Sequence, residues 1–115
     1  MRRFDHIGIP TDQERPGEMY VPETKVWVTD PLQHPQRIEY LRFASDSPVT
    51  GPLRTQPHIA FQVDDLEREV GDSEVLLGPF YATETLQVVF VTQDGALFEF
   101  MHTPNGGHWF ISRGE

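Results

Sequence analysis

Two histidines and two glutamates lie in short apolar segments of this 115-residue chain, where ionisable side chains are costly to bury. His6 lies in FDHIGIP and His58 in PHIAFQV, whereas Glu39 lies in RIEYLRFA and Glu99 in ALFEFMHT. Imidazole nitrogen suits zinc, nickel and iron, and carboxylate oxygen suits harder ions such as manganese. If the four side chains meet in one cavity, they can share a divalent cation, although this mixed donor set does not select one metal. The competing interpretation is a buried network of His–Glu hydrogen bonds without metal.

The same order of residues occurs in both halves of the chain. DHIGI is echoed by PHIAF, and RIEYLRF by LFEFMHT, with His-to-Glu separations of 33 and 41 residues. Two matches in the same order favour a duplicated module over chance. Because strand side chains alternate between faces, we expect His6 to share its face with Phe4 and Gly8, and His58 with Ala60. The small residues leave space beside the histidines, and the opposite faces are expected to form the core.

Alternating apolar residues and turn signals predict a series of short strands. The predicted strands cover residues 4–10, 25–29, 37–44, 57–63, 74–82, 85–92 and 96–103, with a break at Gly78-Pro79 and a hairpin turn at Asp94-Gly95. Residues 12–24 contain Pro16, Gly17 and Pro22, which predict a loop with at most one helical turn. The acidic segment 64–70 predicts a short helix.

The length fits a single domain, 1–115. Within it we expect module one at about 1–46, a linker at about 47–55, module two at about 56–103 and a tail at 104–115.

The composition limits the classes of binding partner and the cellular compartments that the chain is expected to have. A net charge of −9 argues against nucleic acid and against an anionic membrane surface. The chain has no cysteine, which excludes disulfides and thiolate metal sites. The longest apolar run, LQVVFV, is far shorter than a membrane span, and no signal peptide is visible. We therefore expect a cytoplasmic protein that binds neither nucleic acid nor a membrane.

These segments together resemble the vicinal oxygen chelate superfamily, which includes glyoxalase I, methylmalonyl-CoA epimerase, extradiol dioxygenases and fosfomycin and bleomycin resistance proteins. FDHIGIP is similar to that family's opening strand, PHIAFQVDDLE to the start of its second module and DGALFEFM to its last hairpin. The resemblance covers residues 3–102. It implies an α+β fold in which two βαβββ-type modules form a half-open barrel around a metal.

The resemblance also implies the ligand set. The family's ligand positions correspond to His6, Glu39, His58 and Glu99, the four-ligand pattern of the glyoxalase and epimerase branches. The dioxygenase pattern has three ligands and none at the position of Glu39. The chain departs from the family at Pro16, Gly17 and Pro22, which occupy the region of the first helix. We expect that helix to be lost, leaving one wall of the cavity open or supplied by a second subunit of a homodimer.

By this resemblance the chain is a glyoxalase-like enzyme with isomerase, epimerase or lyase chemistry on a small 2-oxo or 2-hydroxy compound. A divalent zinc, nickel, cobalt, manganese or iron ion would polarise a carbonyl and stabilise an enolate, with Glu39 and Glu99 as candidate catalytic bases. The alternative is a non-catalytic small-molecule or drug-binding protein of the same fold. The aromatic residues that could line its cup are Trp27, Tyr40, Phe43, Phe80, Tyr81 and Trp109.

The other three histidines have simpler interpretations. His34 is predicted to be a loop residue, and His102 is predicted to be solvated or structural because it lies on the face opposite Glu99. His108 lies in the tail, where HWF could pack on a second subunit.

Overall fold

The computed structural model describes residues 2–104 and shows an α+β fold built on one curled sheet of eight strands. The strands are β1 (Arg2–Pro10), β2 (Met19–Val21), β3 (Val26–Val28), β4 (Ile38–Phe43), β5 (His58–Val63), β6 (Glu74–Tyr81), β7 (Gln87–Gln93) and β8 (Ala96–His102). The helices are α1 (Pro52–Thr55), α2 (Leu66–Val70) and a 3-10 helix at Pro31–Gln33. Among residues 2–104, no helix is long and apolar enough to cross a membrane.

The strand order shows two matching halves that meet in the middle of the sheet. The order is β2-β3-β4-β1-β5-β8-β7-β6, so each half places its last strand beside its first. β4 runs parallel to β1 and β8 runs parallel to β5, whereas β1 and β5 pair antiparallel at the junction. The predicted half-barrel of two modules is confirmed.

The outer faces of the two halves are covered differently. In the second half Asp65 caps the N-terminus of α2, where its carboxylate accepts a hydrogen bond from the Arg68 backbone N–H, and Gly71 caps the C-terminus. In the first half residues 11–18 form no helix, which confirms the predicted loss of the first helix. There the Arg15 guanidinium lies 3.7 Å from the centre of the Tyr40 ring and covers part of the outer face.

Three local predictions need correction. Residues 12–24 were expected to be a loop, but β2 forms inside them and pairs with β3 in a short hairpin. The predicted linker contains α1, whose Leu53 is buried. β6 continues through the predicted break at Gly78-Pro79, where its pairing with β7 shifts register instead of ending. In each case the pairing or packing of distant segments overrides a local turn signal.

The expected position of the core was wrong in part. The larger apolar cluster, which includes Leu41, Ala60, Val88 and Met101, lies on the same face as the histidines and glutamates. A smaller cluster around Val63 and Phe100 lies on the outer face beneath α2. The sheet curls, so its concave face closes on itself and must be filled with apolar side chains.

Candidate metal centre

The four candidate ligands come from the four central strands and occupy matching positions in the two halves. Across the β1–β5 junction, His6 pairs with Ala60, and Gly8 pairs with His58. Glu39 on β4 lies beside Gly8, and Glu99 on β8 lies beside Ala60. Because paired residues point to the same face of a sheet, the register brings all four side chains to the concave face. Strand pairing therefore brings together residues that lie far apart in the sequence.

The structure brings the four side chains together as a buried cluster, with one ligand atom from each lying within 4.8 Å of the others. His6 Nε2 lies 3.3 Å from Glu39 Oε1 and 3.3 Å from Glu99 Oε1. His58 Nε2 lies 3.1 Å from the same Glu99 oxygen. The side chains face one point, as a shared cation requires.

The donor set fits a divalent ion in type and in spacing. Bonds of about 2.0–2.2 Å to a metal place its ligand atoms about 3.0–4.4 Å apart, so the observed cluster needs contraction by a few tenths of an ångström. Two buried carboxylates are costly without positive charge beside them, and a divalent ion would supply that charge. Two nitrogens and two oxygens suit zinc, nickel, cobalt, manganese or iron.

Asp5 orients His6, and the sequence analysis missed it. His6 Nδ1 lies 2.6 Å from Asp5 Oδ2, so Nδ1–H donates to Asp5 and Nε2 faces the glutamates. The buried Asp5 also accepts a hydrogen bond from Gln62 Nε2 at 3.2 Å. Arg37 Nε donates to the Asp5 carbonyl oxygen at 2.7 Å. A carboxylate that holds the outer nitrogen of a ligating histidine fixes its ring and strengthens it as a ligand.

A β-bulge explains why Asp5 and Phe4 depart from simple alternation. The register of β1 against β5 shifts between Phe4 and His6, leaving Asp5 as the extra residue. Phe4 was expected on the face of His6, but it pairs with Phe61 instead and is 46% exposed. Strict alternation would place Asp5 on the face opposite His6. Their adjacency in the sequence was the one signal that the two side chains could be in contact.

Apart from the contact of Nε2 with Glu99, the His58 ring is positioned by the shape of its surroundings. A Cβ at position 8 would lie 2.8 Å or less from Cε1, Nε2 and Nδ1 of His58, closer than non-bonded atoms can approach. Gly8 therefore provides the space that the ring occupies. On another side the ring meets Phe90 edge-on, with ring centres 5.2 Å apart.

The electrostatics of the cluster favour a bound cation. Burial disfavours a charged His6, but the negative charge of Glu39 and hydrogen bonds to Asp5, Glu39 and Glu99 outweigh it and raise the pKa of His6. Burial acts to raise the pKa of Glu99, but hydrogen bonds from His58 and His6 and their charges lower it to about 2. Glu99 is therefore ionised at neutral pH, and the cluster attracts positive charge.

A cavity of about 60 Å³ opens above the cluster, with Glu39, His58 and Glu99 at its polar end. One wall comes from the first half of the sheet and includes Met19, Val21, Val26 and Val28. The opposite wall comes from the second half and includes Leu77, Phe80, Leu86 and Val88. Val49 and Leu53, from the predicted linker, also line the cavity.

Only some of the aromatic residues predicted to line the cup lie in the wall of the cavity. Phe43 and Phe80 line the cavity, whereas Trp27, Tyr40 and Tyr81 do not. The position of Trp109 lies outside the described residues.

The remaining histidines lie away from the cluster where the structure describes them. His34 follows the 3-10 helix and accepts a hydrogen bond from the Gln36 backbone N–H at 3.0 Å. His102 Nδ1 donates to the Val63 carbonyl oxygen at 3.0 Å, which is a structural role. His108 lies outside the described residues.

Comparison with known proteins identifies the fold. Neither a protein-family model nor a curated protein matches the sequence. The crystal structure of hypothetical protein BH1468 from Bacillus halodurans C-125 is similar, with a TM-score of 0.63 and 19% identity over 92% of this chain and 97% of that one. The chain therefore shares the fold of BH1468, and its own curled mixed sheet is compatible with a vicinal oxygen chelate fold.

Proposed function

We propose that the chain is a metal-dependent enzyme of the vicinal oxygen chelate type, acting as an isomerase, epimerase or lyase on a small 2-oxo or 2-hydroxy compound. The observation that carries the proposal is the buried cluster of four ligand atoms within 4.8 Å, at the end of an apolar cavity. His6, Glu39, His58 and Glu99 would hold a divalent ion. That ion would supply Lewis acidity toward two neighbouring oxygens of a substrate.

Of the two glutamates, Glu39 is better suited to accept a proton. Glu99 Oε1 lies near both histidines, and in the metal-free cluster they lower the pKa of Glu99 to about 2, which makes it a weak base there. Glu39 Oε1 lies 3.3 Å from His6 Nε2. Both carboxylates reach the cavity, so a carbon–hydrogen bond beside a substrate carbonyl could approach either. We assign Glu39 as the general base and Glu99 as a residue that only binds the ion.

The apolar walls support the same reaction. They limit water around the carboxylates, and exclusion of water strengthens each electrostatic interaction within the cavity.

Proton exchange tests this proposal directly. We expect metal-loaded protein to accelerate exchange of the carbon-bound hydrogens of hydroxyacetone in deuterated water, followed by NMR. Glu39→Gln, compared with the wild type at equal metal content, should lower the rate by about 100-fold or more, the usual contribution of a general base. Glu84→Gln is the matched control, because Glu84 is exposed and lies outside the cavity. Exchange no faster than in buffer, in protein shown to contain metal, would refute the enzymatic proposal.

The alternative function is non-catalytic binding of a small apolar molecule. The apolar lining of the cavity favours it, since such a ligand gains from burial without any chemistry. The two proposals differ in their dependence on metal. Ligand binding that is equally tight in metal-free and metal-loaded protein, without proton exchange, would support the binding protein over the enzyme.

A further inference from the structure

We infer that the site takes an uncharged substrate, a compact compound with two adjacent oxygens and a short aliphatic substituent, rather than a carboxylate or phosphate ester. The inference rests on the proposed metal centre and narrows its substrate class. It follows from the charge and the size of the cavity.

The cavity is apolar, and its acidic residues already balance a divalent ion. Among residues 2–104, nineteen line the cavity; fifteen of them are apolar, and the other four are Thr24, Glu39, His58 and Glu99. Two carboxylates neutralise the two positive charges of the ion, and neutral imidazole adds none. An anionic group on the substrate would therefore be buried against apolar walls without a counter-charge, which is costly.

The basic side chains near the cavity are engaged elsewhere. Arg54 follows a lining residue, but its guanidinium donates to the carbonyl oxygens of Ala44, Ser47 and Val49 at 3.1, 3.3 and 3.2 Å. Arg42 pairs with a glutamate outside the cavity at 2.7 Å. Within residues 2–104, no lysine or arginine lines the cavity. The walls that contact the substrate are thus suited to aliphatic groups.

The size of the cavity limits the substituent. Its volume of about 60 Å³ corresponds to about four to six water-sized groups, at about 10–15 Å³ for each. A compound with two adjacent oxygens and a few carbons fills that space. The bulky part of a larger conjugate would remain outside.

Acetoin and lactate form a matched pair of probes. They have the same number of non-hydrogen atoms and two adjacent oxygens each, but acetoin carries a methyl group where lactate carries a charged oxygen. In Co(II)-loaded protein, the visible absorption of the cobalt reports binding of each probe. We expect acetoin to bind at least about tenfold more tightly than lactate, a difference equivalent to about 1.4 kcal/mol.

Met19, a half-buried residue of one wall, provides a second test. Met19→Lys adds a positive charge there, whereas Met19→Gln changes the side chain without adding charge. We expect the lysine variant to shift the preference toward lactate by about tenfold and the glutamine variant to leave it unchanged. The wild-type comparison stands by itself even where the lysine variant does not fold.

The outcomes separate the inference from the proposal beneath it. Stoichiometric cobalt binding with lactate preferred, or with neither probe changing the spectrum, overturns the substrate class and leaves the metal centre intact. Failure to bind cobalt overturns the metal centre and the inference with it. Tighter binding of acetoin by wild-type protein, reversed or reduced in Met19→Lys, is the result that the structure predicts.

Discussion

The two halves of the sheet are alike on the concave face and different on the outer face. Each half supplies one histidine from its first strand and one glutamate from its last, at matching positions in the pairing. On the outer face α2 packs over the second half, whereas the first half has no α-helix between β1 and β2. The four ligand side chains on the concave face must meet at one point. The outer face needs only to be shielded from water, which a helix or a loop can do.

The two histidines are also supported differently. His6 is held through Nδ1 by Asp5, which a β-bulge brings to it. The residue before His58 is Pro57, so the second half has no carboxylate at the equivalent place. His58 depends on the missing Cβ of Gly8 and on the edge of Phe90. We therefore expect the two histidines to be sensitive to different substitutions, His6 to loss of the Asp5 carboxylate and His58 to bulk added at Gly8.

The largest effect is expected from filling the space beside His58. Gly8→Ala makes β1 resemble β5, which carries Ala60, but the added methyl group collides with the His58 ring. We expect metal affinity to fall by more than about 100-fold, beyond the range of about 10–100-fold that follows loss of an outer partner of a ligand. Competition with a chromophoric chelator measures it. Ala60→Gly, the mirror change, should keep nearly wild-type affinity, and unchanged affinity in Gly8→Ala would show that His58 is not a ligand.

A smaller effect is expected at Asp5. Asp5→Asn keeps the shape of the side chain but removes the charge that orients His6, so metal affinity should fall by about 10–100-fold. Asp64→Asn is the control, because Asp64 is exposed and its ion pair with Arg3 has an N–O distance of 3.4 Å. Equal affinities for the two variants, measured by the same chelator competition, would mean that Asp5 does not support the centre.

The smallest effect is expected from substitutions in the helices that cover the outer face of the sheet. It is a change in the free energy of unfolding. Leu66 of α2 packs against the outer apolar cluster, so Leu66→Ala should lower the free energy of unfolding by about 1–2 kcal/mol. Leu32, in the 3-10 helix of the first half, is 47% exposed, and Leu32→Ala should change it by less than about 0.5 kcal/mol. Urea denaturation measures both. A larger loss of unfolding free energy from Leu32→Ala than from Leu66→Ala would contradict this difference between the two outer faces.

The strands and the ligand cluster were predictable because they depend on local alternation and on a repeated order of residues. The histidine and glutamate segments, the hairpin at Asp94-Gly95 and the missing first helix all carry signals within a few residues. The face that each ligand shares with Gly8 or Ala60 followed from strand geometry.

The rest depends on contacts between distant segments. Asp5 reaches His6 through a bulge that alternation does not predict, and β2 forms because β3 pairs with it despite nearby prolines. Val49 and Leu53 read as linker residues, yet they line the cavity because the connection between the halves folds over it. The substrate, the metal and the homodimer remain predictions.

Metal analysis of the purified protein is the most direct test of the shared cation site. We predict one divalent ion per chain in the wild type and in His102→Ala, which removes a histidine that bonds to a backbone carbonyl away from the cluster. His58→Ala and Glu39→Gln should each contain far less metal while keeping the wild-type circular dichroism spectrum. Equal metal content in all four proteins, or none in the wild type after exposure to zinc, nickel, cobalt, manganese and iron, would contradict the account.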